Sequence, residues 1–468
     1  MRKGYGKCFV CLVMLAVLWA AASAGEPENG ERLQPGSKPV GTPLTLSVFD
    51  IDATPPAGTM LAYDTMAGRW DLGLRARGVV LMGAGQPIVL CAVDWIGISN
   101  ESNELFRERL ALAAHTSRER VALHTLHQHD APICDFSAEK LLKEAGLPAY
   151  AFEGSFARRF LGDLELAVSK SLLKASQVTH VSIGTGEVKE VASNRRILNA
   201  QGKVGVMRGS SCRDSALILA PEGLIDPEVT LLSFWNGEKP LAILTWYACH
   251  PQSYYLTKMA GPDFVGLARF YRQVEIPAAL HLHFNGAGGN IAAGKYNDGT
   301  PEKRNILAVR LAEGMKDAWN HSIKKVVASG DISWESIPVR LPANDSVARL
   351  KETISSSAPR ILTNNMGKLA WYERQKEGKA IDIACLGVGD ARVLFLPGEM
   401  FVEYQLAAKA MRRDLTVAMA AYGDYGPFYI GTKEAYVQGG YEIASSPVTP
   451  EAEEILLSAI RKLLKKEN

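Results

Sequence analysis

Residues 228–250 read EVTLLSFWNGEKPLAILTWYACH, two apolar runs joined by Asn236-Gly237. An Asn-Gly pair between two such runs is the strongest short-range signal of a β-hairpin. The second run ends at His250, directly before Pro251, so an imidazole stands where the strand stops. The stretch therefore predicts two buried strands, the second of which delivers a histidine to its end.

Strand-like and helix-like stretches alternate on both sides of this hairpin. Apolar periodicity predicts strands at 87–94 and 120–129, a strand entering a glycine-rich turn at 278–290, a strand, turn and helix at 392–413, and amphipathic helices at 100–119 and near 450–466. Such alternation predicts an α/β fold with mixed β-sheets flanked by helices. No Pro/Ser-rich linker divides residues 44–468, which we predict to form a single domain.

The bulk composition narrows the class of partner. The chain has 468 residues, 47% of them hydrophobic, and a formal net charge of +2. A nearly neutral chain without a basic stripe gives no reason to expect nucleic acid or an anionic membrane surface as a partner. The composition alone says nothing about the oligomeric state.

The N-terminus has the layout of a secretory signal peptide. A basic start precedes an apolar run from Cys8 to Ala21 and a small-residue site that ends at Ala24. We predict that residues 1–24 are cleaved, that 25–43 form a flexible tail, and that the mature protein is secreted or periplasmic without a transmembrane segment. Five cysteines then remain, with no C-x-x-C spacing, so a disulfide framework is not expected.

Polar clusters fall at the ends of the predicted strands, where α/β proteins gather their functional groups. The segment HTLHQHDAP (124–132) is one of them. If it is a strand, His127 and His129 share one face and His124 points the other way. An H-x-H pair can give a metal two ligands, or one ligand and a neighbour, although surface or hydrogen-bonded histidines are an equal alternative. For His281-x-His283, with the same spacing, packing is the favoured interpretation.

Several short motifs together resemble one known family, the neutral (non-lysosomal) ceramidases, which are zinc-dependent amidases. The resemblance covers their catalytic domain and keeps its order from about residue 46 to 445, nearly the whole mature chain. The motifs that carry it are FDIDATPP (49–56), LHQHDAP (126–132), NRR (194–196), WYACHPQS (246–253), GPDFVG (261–266), PGEM (397–400), YIGTKEAY (429–436) and YE (441–442).

The resemblance implies a zinc site. Its ligands would be His127, His250, Glu399 and Tyr429, which hold a single Zn²⁺, with Mn²⁺ or Fe²⁺ as alternatives. His129 would transfer protons, and Arg195 would hold substrate oxygen or developing negative charge.

Further candidates come from the glycine-rich loop 284–294 and neighbouring segments. Asn285 is a third catalytic candidate. Small residues in the loop would let backbone N–H groups approach a ligand, although a tight turn explains the glycines nearly as well. The expected substrate-binding residues are Asp263, Gly288, Asn290 and Tyr425.

The sequence also departs from the family pattern. The family's loop serine has no counterpart, because Ala292 is the nearest equivalent. Asp130-Ala131 stand where the family has Ser-Gly. The chain stops near residue 468, so the family's C-terminal β-sandwich domain is not expected.

We therefore expect a secreted zinc-dependent hydrolase in which metal-bound water attacks the N-acyl amide bond of a small-molecule or lipid substrate. Two alternatives stay open: a hydrolase of a more polar, sugar-linked substrate, and a non-catalytic relative that binds a ligand in the same pocket. Metal content separates an enzyme from a binding protein.

Overall fold

The predicted hairpin lies in the middle of a five-stranded sheet. Strand β13 (Glu228–Asn236) pairs antiparallel with β14 (Lys239–Tyr247), and Gly237 in the turn has a φ of +56°. The other three strands are β9 (His180–Glu187), β16 (Leu280–Asn285) and β18 (Ile323–Val326). The order is β16-β14-β13-β9-β18, in which β14 and β16 are the parallel pair.

Two other large sheets accompany it in this computed structural model, which describes residues 43–69, 72–353 and 359–465. The first contains β1 (Thr45–Asp52), β3 (Arg75–Met82), β4 (Ile88–Val93), β6 (Val121–Thr125) and β8 (Ser176–Gln177), in the order β6-β4-β3-β1-β8. The second contains β19 (Ile332–Val339), β20 (Ile381–Val388), β21 (Ala391–Phe395) and β23 (Thr416–Ala420), in the order β19-β20-β21-β23.

Short two-residue to four-residue strands and the helices complete the described part of the chain. The short strands are β2 (Gly68–Arg69), β5 (Gly97–Ile98), β7 (Ile133–Cys134), β10 (Ser193–Asn194), β11 (Arg196–Leu198), β12 (Val204–Met207), β15 (Met259–Ala260), β17 (Ile291–Ala292), β22 (Glu399–Met400) and β24 (Tyr429–Ile430). The helices are α1 (Asn100–Ala113), α2 (Phe136–Glu144), α3 (Ser155–Leu172), α4 (Ser215–Leu219), α5 (Asp263–Glu275), α6 (Pro301–Asn320), α7 (Leu350–Thr353), α8 (Pro359–Lys376), α9 (Val402–Met411), α10 (Lys433–Gln438), α11 (Tyr441–Ala444) and α12 (Ala452–Leu463).

Each large sheet ends in one parallel pair, and the three pairs share a core. The pairs are β4–β6, β14–β16 and β21–β23. Buried side chains from all of them pack into one cluster, which includes Ala92, Ala122, Leu244, Leu282, Phe395 and Ala420. The segments that follow β6, β14 and β21 carry three of the four predicted metal ligands, and Tyr429 follows β23. The fold therefore brings to one place residues that are far apart in the sequence.

The α/β prediction is confirmed, and most predicted elements lie within a few residues of their expected bounds. The exception is the strand predicted at 120–129, which ends at Thr125. Beyond it the backbone turns, and His127 has a φ of +65° while its amide donates to the Trp95 carbonyl (2.9 Å). The expectation that His127 and His129 share a strand face is therefore wrong, since neither belongs to a strand.

Three remaining expectations concern the chain ends and the cysteines. The predicted signal peptide and tail up to residue 42 lie outside the described residues. Among the described helices, none combines the length and the apolar character needed to cross a bilayer. The five cysteines after residue 24 are free thiols, and Cys91 and Cys249 are fully buried core residues.

Candidate metal centre

Three of the predicted ligands place one atom each around a common point. The Nε2 atoms of His127 and His250 are 3.0 Å apart. The Oε2 atom of Glu399 lies 3.4 Å from the first and 3.6 Å from the second. All three side chains are at most 2% exposed, so the three atoms form a small buried triangle.

The opposite ring atoms of the two histidines decide which atoms face the triangle. The Nδ1 atom of His127 lies 2.7 Å from the Ile96 carbonyl oxygen, and that of His250 lies 3.2 Å from the Gly288 carbonyl oxygen. A carbonyl oxygen only accepts, so each Nδ1 carries the proton and donates it. The Nε2 lone pairs then point into the triangle. With the proton on Nδ1, both rings are in the tautomer that leaves Nε2 free to bind a metal.

Electrostatics keep His250 neutral. Burial lowers the pKa of His250 well below its ordinary value, and the neighbouring charges of His127, Arg195 and His129 lower it further. A neutral imidazole is the form that coordinates a metal. Tyr422 packs its ring against His127, with centroids 4.5 Å apart, and helps to fix the orientation of that imidazole.

Glu399 completes the triangle. The Tyr425 hydroxyl donates to Glu399 Oε1 (2.7 Å). Within the described ranges the buried Oε2 atom has no hydrogen-bond partner. Burying a carboxylate oxygen without a hydrogen-bond partner costs free energy. The two imidazole lone pairs that face this oxygen raise the cost further, and a bound cation would remove it.

The spacing of the three atoms fits a zinc ion. Ligands about 2.0–2.1 Å from a tetrahedral ion lie roughly 3.3 Å from one another, and the observed separations are 3.0, 3.4 and 3.6 Å. Two imidazoles and one carboxylate are a donor set that suits Zn²⁺ and that Mn²⁺ or Fe²⁺ also accept. The residues present therefore fit a divalent metal.

His129 lies beside the triangle. Its ligating atom is within 4.8 Å of those of His127 and His250, so the three buried histidines form a group able to hold a metal. The Tyr63 hydroxyl is 2.8 Å from His129 Nδ1, and the two rings stack with centroids 5.5 Å apart. His129 is thus held by Tyr63 at the edge of the proposed ligand set.

Tyr429 and Arg195 form a second pair next to Glu399. Tyr429 is the register partner of Glu399 in the short β22–β24 ladder. Arg195 donates to the Tyr429 hydroxyl (3.3 Å) and to the Gly289 carbonyl, and its Nε lies 3.4 Å from Glu442 Oε1. Burial alone would lower the pKa of Arg195, but Tyr429 and Glu442 hold it above its ordinary value. A permanently charged guanidinium therefore lies at the site.

These groups open into one cavity of about 400 Å³. Aromatic rings make up much of its wall. The lining residues are Tyr63, His127, His129, Arg195, Met207, Gly209, Ser210, Gln252, Tyr255, Lys368, Glu399, Tyr425, Phe428, Tyr429, Tyr441 and Ser445. A cavity of this size with a few convergent polar groups is typical of a small-molecule site.

Two predicted site residues use their side chains to hold the protein together. Asn285 is fully buried, accepts from the Cys249 amide (3.4 Å) and donates to the Leu126 carbonyl (3.3 Å). Asp263 accepts from the amide of Ser253 (2.9 Å) and from its hydroxyl. These contacts hold the segments around the site together, and the catalytic role of Asn285 and the substrate-binding role of Asp263 stay predictions.

The glycine-rich loop makes hydrogen bonds to the residues around the triangle. Gly288 fixes His250 through its carbonyl. Asn290 bonds Glu403 and the Val402 amide, and its carbonyl accepts from the Arg195 amide. At Gly289, a Cβ would lie 2.3 Å from the Glu399 carbonyl oxygen, so only glycine allows the loop to pack against the Glu399 backbone.

Ala292, the nearest equivalent of the family's loop serine, is fully buried, and its backbone pairs with that of His250 in an isolated bridge. His124 lies on β6, and its Nδ1 bonds the Ala421 carbonyl (2.8 Å).

Sequence reasoning missed several residues of the cavity, above all Tyr63 and Lys368. Neither belongs to a motif, and each lies far in the chain from the ligands it approaches. Gly367 is the one local signal near Lys368, because it marks a helix that approaches another element closely.

Comparisons with known proteins agree with this geometry. No protein-family model matches the sequence. No curated protein matches it significantly either. Among solved structures, the chain is similar to the neutral ceramidase from Pseudomonas aeruginosa, with a TM-score of 0.64 and 15% identity over 90% of this chain and 73% of that one. It is also similar to a ceramidase complexed with C2, with a TM-score of 0.65 and 14% identity over 91% and 76% of the two chains. The chain therefore has the fold of the neutral ceramidases, as the motifs predicted.

Proposed function

We propose that the protein is a metal-dependent hydrolase that cleaves an N-acyl amide bond. The observation that carries the proposal is the buried triangle of His127 Nε2, His250 Nε2 and Glu399 Oε2, with separations of 3.0–3.6 Å. The neutral-ceramidase fold supports the choice of reaction, since the two similar solved structures are ceramidases.

His127, His250 and Glu399 would hold the ion, with Tyr429 or His129 as a fourth ligand. A bound divalent metal supplies a Lewis acid and lowers the pKa of a coordinated water from 15.7 to about 7. The carbonyls of Ile96 and Gly288 keep both histidines in the required tautomer.

His129 is the group that would move protons. With its proton on Nδ1, donated to the Tyr63 oxygen, Nε2 is left as the basic atom. His129 would accept a proton from the attacking water and deliver one to the leaving amine nitrogen. Tyr63 would hold the imidazole in that orientation and tautomer.

Arg195 would hold the negative charge that develops on the carbonyl oxygen. Gly289, Tyr429 and Glu442 fix its guanidinium before any substrate arrives. Stabilising the developing oxyanion would therefore cost little reorganisation of the protein. The aromatic wall formed by Tyr63, Tyr255, Tyr425 and Phe428 would pack against the apolar part of the acyl group.

Metal analysis together with a substrate screen tests this proposal. The purified protein is expected to contain about one zinc per chain by plasma mass spectrometry and to hydrolyse at least one class among N-acyl lipids, N-acyl amino acids and N-acyl sugars. His127→Ala and Glu399→Gln should each lose the metal and the turnover. If both variants keep full metal and full turnover, the assignment is wrong.

The fourth ligand can be assigned by a matched pair of variants. Loss of zinc affinity in Tyr429→Phe but not in His129→Gln would place Tyr429 in the ligand set, and the reverse result would place His129 there. Loss of a ligand costs far more affinity than loss of a neighbour that only orients one, which typically costs about 10–100-fold.

A non-catalytic ligand-binding protein is the second candidate, because of Ala292. An alanine side chain cannot supply the hydroxyl that the family pattern has in this loop. Hydrolysis of any amide in the screen excludes this candidate. Tight binding of an uncleaved amide by the zinc-loaded protein would favour it.

We further propose that residues 1–24 direct export and that residues 44–468 form the catalytic domain of the secreted or periplasmic protein. The basic start, apolar run and small-residue site of the N-terminus support this. N-terminal sequencing of the mature protein should begin at residue 25. A mature chain that still begins at Met1 would contradict it.

A further inference from the structure

Helix α8 brings one lysine to the wall of the cavity. Gly367 lies so close to Phe428 that a Cβ at this position would be 2.9 Å from the Phe428 Cζ atom. The absence of a side chain therefore lets the helix pack directly against the aromatic wall. The next residue, Lys368, is half-buried and lines the same cavity as His127, Arg195 and Glu399.

Lys368 differs from the other charged residues of the cavity in its partners. Arg195 faces the fully buried Glu442, and Glu399 is held by Tyr425 and faces the histidines. Within the described part of the chain Lys368 forms no ion pair or hydrogen bond, and Glu399 is the charged group that acts on it. A half-buried ammonium without a partner is costly, and here it faces the cavity in which substrate would bind.

The balance of charge in the cavity also leaves Lys368 without a counterion. A divalent metal would more than offset the charge of Glu399, and Glu442 is already shared by Arg195 and Arg196. The charge of Lys368 would then remain unpaired. A positively charged wall attracts a ligand that carries a negative group. It disfavours a neutral ligand, because such a ligand would displace water from the ammonium without replacing its hydrogen bonds.

We infer that the substrate carries a carboxylate close to the scissile amide, as an N-acyl amino acid does, and that Lys368 binds this carboxylate. The inference rests on the proposed amide hydrolysis and makes its substrate class specific. Hydrolysis adds one water across the C–N bond. The acyl carbon gains the oxygen and leaves as a fatty carboxylate, and the nitrogen gains a proton and leaves as the amino group of the amino acid.

A matched pair of substrates tests the inference. N-lauroylglycine and N-lauroylethanolamine share the acyl chain and the amide, and they differ in a carboxylate against a hydroxymethyl group. The zinc-loaded wild-type protein is expected to favour lauroylglycine in kcat/KM by about ten-fold or more, the usual size of one charge-assisted hydrogen bond. Equal rates, or a preference for the ethanolamide, would overturn the inference.

Variants then assign the preference to Lys368. Lys368→Met should lower the ratio of the two kcat/KM values about ten-fold, and Lys368→Arg should restore much of it because the charge returns. Lys376→Met is the control, since Lys376 lies on the same helix but is exposed and pairs with Asp345. A ratio that Lys368→Met leaves unchanged would contradict the assignment, and equal thermal unfolding temperatures would exclude a folding defect.

Binding separates a failure of this inference from a failure of the proposed function. Dissociation constants of the two amides are measured by calorimetry on the same zinc-loaded proteins. If neither amide is cleaved but lauroylglycine binds about ten-fold more tightly and Lys368→Met removes the difference, the hydrolase proposal fails and the carboxylate site stands. If both amides bind equally to the wild-type protein, the carboxylate site fails, whatever the turnover.

Discussion

The chain contains two His-x-His pairs with the same spacing and similar burial, yet their surroundings differ completely. His127 and His129 follow the end of β6, at a point where the backbone has left the sheet. His281 and His283 lie inside β16, which pairs with β14 at the edge of its sheet. The first pair lines a cavity with Glu399, whereas the second is enclosed by its own sheet and helix.

The partners of each pair explain the difference. The Nδ1 atom of His283 bonds the Thr245 hydroxyl (2.9 Å), and Nε2 of His281 bonds the Ile276 carbonyl (3.3 Å). No carboxylate faces either ring among the contacts of the described residues. At the first pair, the Ile96 carbonyl accepts from His127 Nδ1, and Glu399 faces its Nε2. His250, which lies opposite, is held in the same way by the Gly288 carbonyl and Glu399. A histidine pair therefore becomes a metal-site candidate through its place at a strand end and through its opposing carboxylate.

The largest expected effect comes from removing one histidine of each pair. His127→Gln should abolish zinc binding and reduce amide hydrolysis by at least about 10³-fold, because the three-atom donor set is broken. His283→Gln should keep about one zinc per chain and most of the activity. Metal analysis and turnover of both variants measure this contrast, and equal loss of zinc in the two would refute it.

An intermediate effect is expected when the hydroxyl partner of each pair is removed. Tyr63→Phe should lower kcat about 10–100-fold with an altered pH profile, because His129 loses the group that orients it. Thr245→Val should instead lower the free energy of unfolding by about 1 kcal/mol and leave kcat near the wild-type value. If Tyr63→Phe changed stability alone, the proton-transfer role of His129 would lose its support.

The smallest effect concerns acid stability. Burial lowers the pKa of His283 to about 3 and that of His281 to about 4, against an ordinary value of 6.5. The unfolded chain therefore binds more protons than the folded one between these values, so stability is full above about pH 6.5 and is lost as the pH falls through that range. Each of the two histidines should lower the free energy of unfolding by about 1.4 kcal/mol at pH 5.5 relative to neutral pH.

Urea unfolding of chelator-treated protein at pH 7.5 and 5.5 measures this loss without a contribution from metal release. His283→Gln removes one of the buried histidines whose pKa is lowered, so its loss of stability between these pH values should be smaller than that of the wild-type chain by about 1.4 kcal/mol. An unchanged difference would mean that His283 titrates normally in the folded protein.

Patterns that depend on local sequence predicted the architecture well. The Asn236-Gly237 turn, the buried strand at 87–94 and the strand, turn and helix at 392–413 all depend on neighbours a few residues away. The ordered motifs also identified His127, His250 and Glu399, which the structure brings together. Local periodicity failed at 126–129, because the carbonyl of Trp95 redirects that segment through a tertiary hydrogen bond.

The supporting residues could not be derived in the same way. Tyr63 and Lys368 reach the site from opposite parts of the chain, and no spacing relates them to the ligands. Asn285 and Asn290 have the polar side chains of site residues, but the packed segments around them take up those groups in hydrogen bonds. Their roles depend on tertiary partners, which one sequence does not specify.

The parallel pairs that end the three large sheets have a consequence for how the protein matures. His127, His250 and Glu399 each follow a strand of a different sheet. When only the first two thirds of the chain has been made, His127 and His250 are present and Glu399 is missing. If these residues hold the ion as proposed, tight capture would require all three segments and would follow the docking of the three sheets. Zinc retention by nascent chains of increasing length would then report when folding is complete.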